Sequence, residues 1–427
     1  MNGWGERCGT AWLVVSALLG PQAAGGQQDA GRPVLHLREA QDAALAHHPA
    51  KAAAAAQVSA LEAKPAQVSA FDDPTASVTT AIPFASPHDP PLVQVSVSQK
   101  LPLSAVFSHK KDAAQAVAAA WATEVPASEL DVKRAVTAAY YDLVHLEELR
   151  GVLVEQHELS EGILDAASLR YASLAGDQAD VLRAGIALAE AETALEVVDL
   201  EIAAAREVLV LIMGDGRDPQ GFTVVAPDFP LVTSGRGELV ELALENRPEL
   251  GFYDAQAVAL EAKKKVAKSG NAPWLTVTAG YQYRSDTLAG LMGQDAFALG
   301  FGLSIPLLQI AKNEAAVDEV EALMVANDAQ KADLALSIAE QVILLTRELE
   351  AIEAGIALDE QKVIPEARAA LSLTMSAYTA QEASITEVLT AFEKLLDAEH
   401  RLTVKRGRYM TVFAGLQRAC GTFEVPL

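Results

Sequence analysis

The sequence predicts a mainly helical chain that also carries membrane β-strands, folded as a duplicated helix–β-hairpin–long-helix unit. Three observations predict this class. The first is an internal repeat: Ala44-Leu45-Ala46-His47-His48-Pro49, Ala60-Leu61-Glu62-Ala63-Lys64 and Pro74 return as Ala243-Leu244-Glu245-Asn246-Arg247-Pro248, Ala259-Leu260-Glu261-Ala262-Lys263 and Pro273. The displacement is constant, roughly 200 residues, too long for a solenoid of small units. The second is four segments that alternate with period two, each about nine or ten residues, the length that crosses a bilayer at barrel tilt. The third is composition: 51% of residues are hydrophobic but only 5% aromatic, with Ala and Leu prominent, which favours long, closely packed helices.

Residues 1–24 read as a secretory signal peptide, with Arg7 before an apolar run at 11–20 and small residues after it. Cys8 leaves with this segment, so Cys420 stands alone and no disulfide is expected. No other segment approaches the roughly 20 apolar residues of a spanning helix.

The first repeat covers 35–213 and opens with a helix to Lys64. Its hairpin, 75–101, contains Val93, Val95 and Val97 alternating with Gln94, Ser96 and Ser98. A long helical segment follows at 108–175, interrupted at Pro126, then a return helix at 177–213. Residues 214–237 are rich in Gly and Pro and form a linker, with one short strand at Phe222-Thr223-Val224-Val225.

The second repeat covers 238–417. In its hairpin, 275–305, Phe297, Leu299, Phe301 and Leu303 alternate with Ala298, Gly300 and Gly302. Trp274, Tyr281, Tyr283 and Phe297 sit near strand ends, as in an interfacial aromatic girdle. The hairpin loops fall at 83–91 and 285–295, and both hairpins close on proline, in Leu101-Pro102-Leu103 and Ile305-Pro306-Leu307. The long segment 312–380 carries the seam Val342, Leu345, Leu349, Ile352 and Ile356 and breaks at Pro365. A return helix at 383–417 and a tail at 418–427 complete the chain. Each return helix is half the length of its long neighbour, so the helices that precede the hairpins must stack on the return helices to complete the match.

A net charge of -24 argues against nucleic acid and anionic membrane surfaces as partners. It is read either as plain solvation or as a path that prefers cations. His47-His48 is the only close histidine pair, and adjacent helical residues do not share a face. No nucleophile, metal or cofactor constellation is present, so neither an enzyme nor a cofactor is expected.

Helices about 100 Å long cannot bury their seams within one chain, and four strands cannot close a barrel in lipid. Symmetric oligomerisation cures both deficits. Three copies supply twelve strands and a ring of twelve helices, with Ala298, Gly300 and Gly302 facing a lumen.

These features resemble the TolC-like outer-membrane efflux proteins. The resemblance rests on the repeated unit, on the Leu-Pro-Leu and Ile-Pro-Leu strand ends, and on a tip motif that runs from Tyr171 to Asp180-Val181-Leu182 and, at the same spacing, from Tyr378 to Glu387-Val388-Leu389. It covers residues 35–417. It implies a homotrimeric, twelve-stranded barrel among outer-membrane lipid, continuous with a periplasmic α-helical barrel. It also implies a passive channel of a tripartite efflux system, partnered by a periplasmic adaptor and an inner-membrane pump. The exit duct of a type I protein-secretion system has the same architecture, and a soluble periplasmic scaffold is the alternative from another class.

Two sets of tip residues are candidates. Asp177, Asp180, Glu382 and Glu387 flank the turns; each becomes three carboxylates in a trimer, and family members gate there with acidic rings. The same acids are equally suited to helix N-termini. Arg170, Tyr171, Val181, Leu182, Tyr378, Val388 and Leu389 are candidate adaptor contacts, with packing between the tips the competing role. The family motif places Gly three residues after the Tyr. Leu174 and Gln381 stand there instead, and Gly176 is expected to take over the first turn.

Overall fold

The computed structural model describes residues 32–81, 92–225, 230, 232–284 and 295–423. The signal segment, the hairpin loops and the last four residues of the tail lie outside the described residues.

The chain opens with strand β1 (Val34–Leu35) and helices α1 (Leu37–His47), α2 (Pro49–Glu62) and α3 (Lys64–Val68). Strands β2 (Thr75–Ala81) and β3 (Leu92–Pro102) form the first hairpin. Helices α4 (Val106–Trp121), α5 (Glu124–Ala172) and α6 (Gln178–Met213) complete the first copy. After β4 (Thr223–Val224) the order recurs as α7 (Arg236–Asn246), α8 (Pro248–Ser269), β5 (Trp274–Arg284), β6 (Ala296–Ser304), α9 (Ile310–Leu358), α10 (Ile364–Thr379) and α11 (Ile385–Ala419).

Both proline interruptions have a local cause. Pro126 lies in the first turn of α5, where a missing amide proton breaks no helical bond. Pro365 begins α10, and the turn before it, Asp359–Val363, widens to a π-helix. A single π-turn absorbs a local mismatch without ending the helix.

The four long strands form one antiparallel sheet in the order β2-β3-β5-β6. Register aligns Val78, Val95, Tyr281 and Phe297 in one row across it. The adjacent row is Ser77, Ser96, Gly280 and Ala298. Alternation therefore gives one apolar face and one face of small or polar residues. Ser77 and Ser96 hydrogen-bond at 2.9 Å on the latter, and the Gln282 amide donates to Gln94 at 3.1 Å. The apolar face is uncovered: Phe297 is 88% exposed.

The helices form a wall in the order α6, α5, α11, α9 with α10. Near the sheet, α8 packs between α4 and α9 and stacks on the end of α11, while the end of α6 meets the junction of α1 and α2 at Gly214. The half-length helices thus stack as their lengths require. The core divides into two clusters. One surrounds Tyr140, Leu143, Leu209, Val342, Leu349 and Tyr409; the other, toward the tips, surrounds Ile163, Tyr378, Ile385 and Phe392.

Between them lies a polar layer. Arg368 donates to Glu399 at 2.7 Å, and Lys405 donates to Asp359 at 2.6 Å and to the Gly355 carbonyl at 3.2 Å. A Cβ at Gly355 would come 3.2 Å from the Lys405 ammonium and crowd it.

Candidate functional site at the helical tips

The two tip turns are built alike. In the first, the amide of Leu174 donates to the Tyr171 carbonyl at 3.1 Å and the amide of Ala175 to that of Arg170 at 2.9 Å. In the second, Gln381 donates to Tyr378 at 3.1 Å and Glu382 to Ala377 at 2.8 Å. This pair of bonds is the Schellman closure, and it demands a left-handed residue just past the helix. Leu174 (φ 59°) and Gln381 (φ 66°) supply it, as the only non-glycine residues with positive φ among the described residues. The expectation for Gly176 is corrected here: its φ is not left-handed. Gly176 instead permits close approach, since a Cβ there would lie 3.1 Å from that of Arg170.

Arg170 joins the turns. It donates to the Tyr378 carbonyl at 2.9 Å and to the Ala175 carbonyl at 3.0 Å, and stacks on the Tyr378 ring. Tyr378 is fully buried, and burial pushes its phenol up, with the Asp180 carboxylate adding in the same direction. Its hydroxyl meets no partner at hydrogen-bond geometry.

The four candidate acids differ in commitment. Glu387 is held in a capping box, accepting from the Ser384 amide at 2.8 Å while its own amide donates to the Ser384 hydroxyl at 3.3 Å. Asp180 lies beside Tyr378 and accepts from Arg183 at 3.4 Å. Asp177 caps α6 by position without a side-chain bond, and Asp177 and Glu382 are both exposed. Among the candidate contacts, Tyr171 and Leu182 are exposed, Val388 is buried, and Val181 and Leu389 pack at the edge of the tip core.

Sequence reasoning missed the Arg368–Glu399 and Lys405–Asp359 pairs. The one available signal was charge on otherwise apolar helix faces.

Duplicated tips, a one-sided four-stranded sheet and a helical wall together define the geometry. Residues 239–422 match the Outer membrane efflux protein family. The second repeat of the chain is therefore similar in sequence to the outer membrane efflux proteins. Among curated relatives, the outer membrane protein TolC of Vibrio cholerae is 27% identical over 164 residues, a stretch that spans 37% of this chain and 37% of that protein. Among solved structures, CusC superposes with a TM-score of 0.77 at 15% identity, covering 94% of this chain and 97% of that one. VceC of Vibrio cholerae gives 0.73 at 21% identity, with coverage of 90% and 96%. The outer-membrane channel OprN gives 0.74 at 16% identity, with coverage of 94% and 97%. The likeness in fold to these channels, long helices with a small sheet, thus extends over nearly the whole chain.

Proposed function

We propose that this protein is the outer-membrane channel of a tripartite efflux system, a passive conduit from the periplasm to the exterior. Its two structural repeats are residues 35–213 and 238–417. Three copies close a twelve-stranded barrel that continues as a periplasmic helical barrel.

One observation carries the reading. The sheet ends in two edge strands, β2 and β6, and its apolar face is exposed. Lipid tolerates that face but not the open edges, because unpaired backbone groups there cost several kcal/mol each by the usual estimate of about that size. Pairing β6 of one copy with β2 of the next removes every edge. The wall supports the same closure: its outermost helices leave Leu200 and Leu211 of α6, and Leu336 and Leu344 of α9, uncovered.

A periplasmic adaptor and an inner-membrane pump are the proposed partners, and the pump supplies the energy. Tyr171 and Leu182 are the proposed adaptor contacts at the tips. Asp177, Asp180 and Glu382 are the proposed gate acids, threefold rings whose field attracts cations. Glu387 serves as a helix cap.

Reconstitution of the detergent-extracted protein in planar bilayers tests this. A trimer should form channels that favour cations, and Asp177→Asn with Asp180→Asn and Glu382→Gln should weaken divalent-cation block. A lone particle released without detergent, or the absence of conductance, sinks the reading.

A further inference from the structure

Far from the tips, a cavity of about 410 Å³ opens between α5, α8, α9 and α11. From Arg134 to the end of α5 is about 57 Å by helical rise. Four guanidinium groups line the cavity: Arg134, Arg247, Arg408 and Arg418. This concentration stands out in a chain of net charge -24.

The nearby carboxylates do not balance the four. Arg418 donates to Asp131 and to Glu249, each at 2.7 Å, and its remaining nitrogen, Nη1, is buried without a partner. Arg247 shares the same Glu249 at 3.1 Å, and its other contacts are long, at 3.4 and 3.5 Å to the last carbonyls of α11. Arg408 takes Glu348 at 2.6 Å. Arg134 has no ion pair or hydrogen bond among the described residues. Four cations thus share three anions. Burial lowers the Arg247 pKa, and repulsion from Arg418 pushes in the same direction against the pull of Glu249. One more negative charge in the cavity relieves that repulsion.

We propose that this cavity is a binding site for a small anion bearing carboxylate or phosphate groups. The planar fork of Arg matches both groups through paired hydrogen bonds. The volume lies within the range of small-molecule sites, about 300–1,000 Å³. Leu345 and Val412 give the cavity an apolar wall for the carbon frame of an organic acid. A purely structural role accounts for Arg247 and Arg418, which lock the end of α11 onto α8, and for Arg408, which ties α11 to Glu348 of α9, but not for Arg134.

The test is isothermal titration calorimetry on the full-length protein in detergent, with citrate in one arm and pyrophosphate in the other at constant ionic strength. Saturable binding is expected in at least one arm, and the tighter arm names the group preferred. The double variant Arg134→Ala with Arg408→Ala should bind at least tenfold more weakly while melting, without anion, as the parent does. If the double variant folds poorly, Arg134→Ala alone serves, because Arg134 holds nothing in the fold; a threefold loss or more is then expected. No saturable binding in either arm, or unchanged affinity in the variants, overturns the proposal.

Discussion

Arg170 and Tyr378 join the two halves of the duplicated chain at its far end. The guanidinium lies 4.1 Å from the ring centroid and donates to the carbonyl of the same tyrosine at 2.9 Å. One side chain thus holds both the ring and the backbone of the opposite turn, from 208 positions away in sequence.

Arg170→Ala removes the stacking, leaves the Ala175 carbonyl without its donor and leaves the Tyr378 carbonyl with the Gln381 amide alone. The expected local loss is about 2 kcal/mol, combining a partly buried cation–π contact with charge-assisted hydrogen bonds. Hydrogen exchange across residues 376–389 should accelerate by more than tenfold. Arg170→Lys should recover only part of the protection, because an ammonium cannot both stack flat and reach two carbonyls. Unchanged exchange in the alanine variant contradicts the clasp.

Leu174 and Gln381 hold a left-handed conformation that costs a residue with a Cβ about 1 kcal/mol. Leu174 is 96% exposed, so its side chain offers no packing in return. Leu174→Gly and Gln381→Gly should each slow exchange in their own turn by a few-fold, equivalent to about 0.5–1 kcal/mol. Leu174→Val should do the opposite, since β-branching worsens the clash. Faster exchange in both glycine variants contradicts the strain argument.

These turns also mark how far the sequence could be read. The repeat, the strands with their alternating faces and the proline breaks were legible, because each follows from a short period or from one residue's geometry. The left-handed positions were not, because Leu and Gln carry no local signal for positive φ; only the family pattern hinted that something occupied those places. The acids near the tips were found, but not their different commitments, although the Ser-x-x-Glu spacing of Ser384 and Glu387 carries the signature of a capping box. The arginine cavity was invisible for a plainer reason. Arg418 and Asp131 are 287 positions apart, and no sequence period links them.

His145 supplies a pH dependence. Its ring packs where Gly407 lacks a side chain, with a Cβ at that glycine falling 2.7 Å from His145 Cγ. Burial lowers the imidazole pKa; Asp142 and Glu148 on its own helix oppose the shift, His400 on α11 adds to it, and the Thr403 backbone opposes it. Glu201 of α6 lines, with His145 and Asp142, a separate cavity between α5 and α6. The folded pKa lies below the unfolded value of about 6.5. Above that value both states are neutral and the contribution to stability is complete. As pH falls below it the unfolded chain takes up the proton first, so stability declines. Exchange in residues 140–150 and 400–410, corrected for intrinsic rate, should rise between pH 7 and pH 5, and His145→Gln should flatten the profile. A parent profile that is already flat contradicts the assignment.

Lys405 and Asp359 form the most exacting pair in the layer between the two apolar clusters. Asp359 is 4% exposed and begins the π-turn, and Lys405 is its only ionic partner among the described residues. Lys405→Met keeps the length of the side chain but strands a buried carboxylate. Breaking a fully buried pair costs about 3–5 kcal/mol; because the lysine side chain is 32% exposed, about 2–3 kcal/mol is expected here. Adding Asp359→Asn removes the stranded charge while keeping the shape, so the double variant should be more stable than Lys405→Met alone. That ordering separates a charge effect from a packing effect: if the methyl thioether simply filled the space badly, the second substitution would add to the damage. Thermal unfolding of the three proteins in one detergent checks it. A double variant that melts below Lys405→Met refutes the stranded charge as the source of the loss.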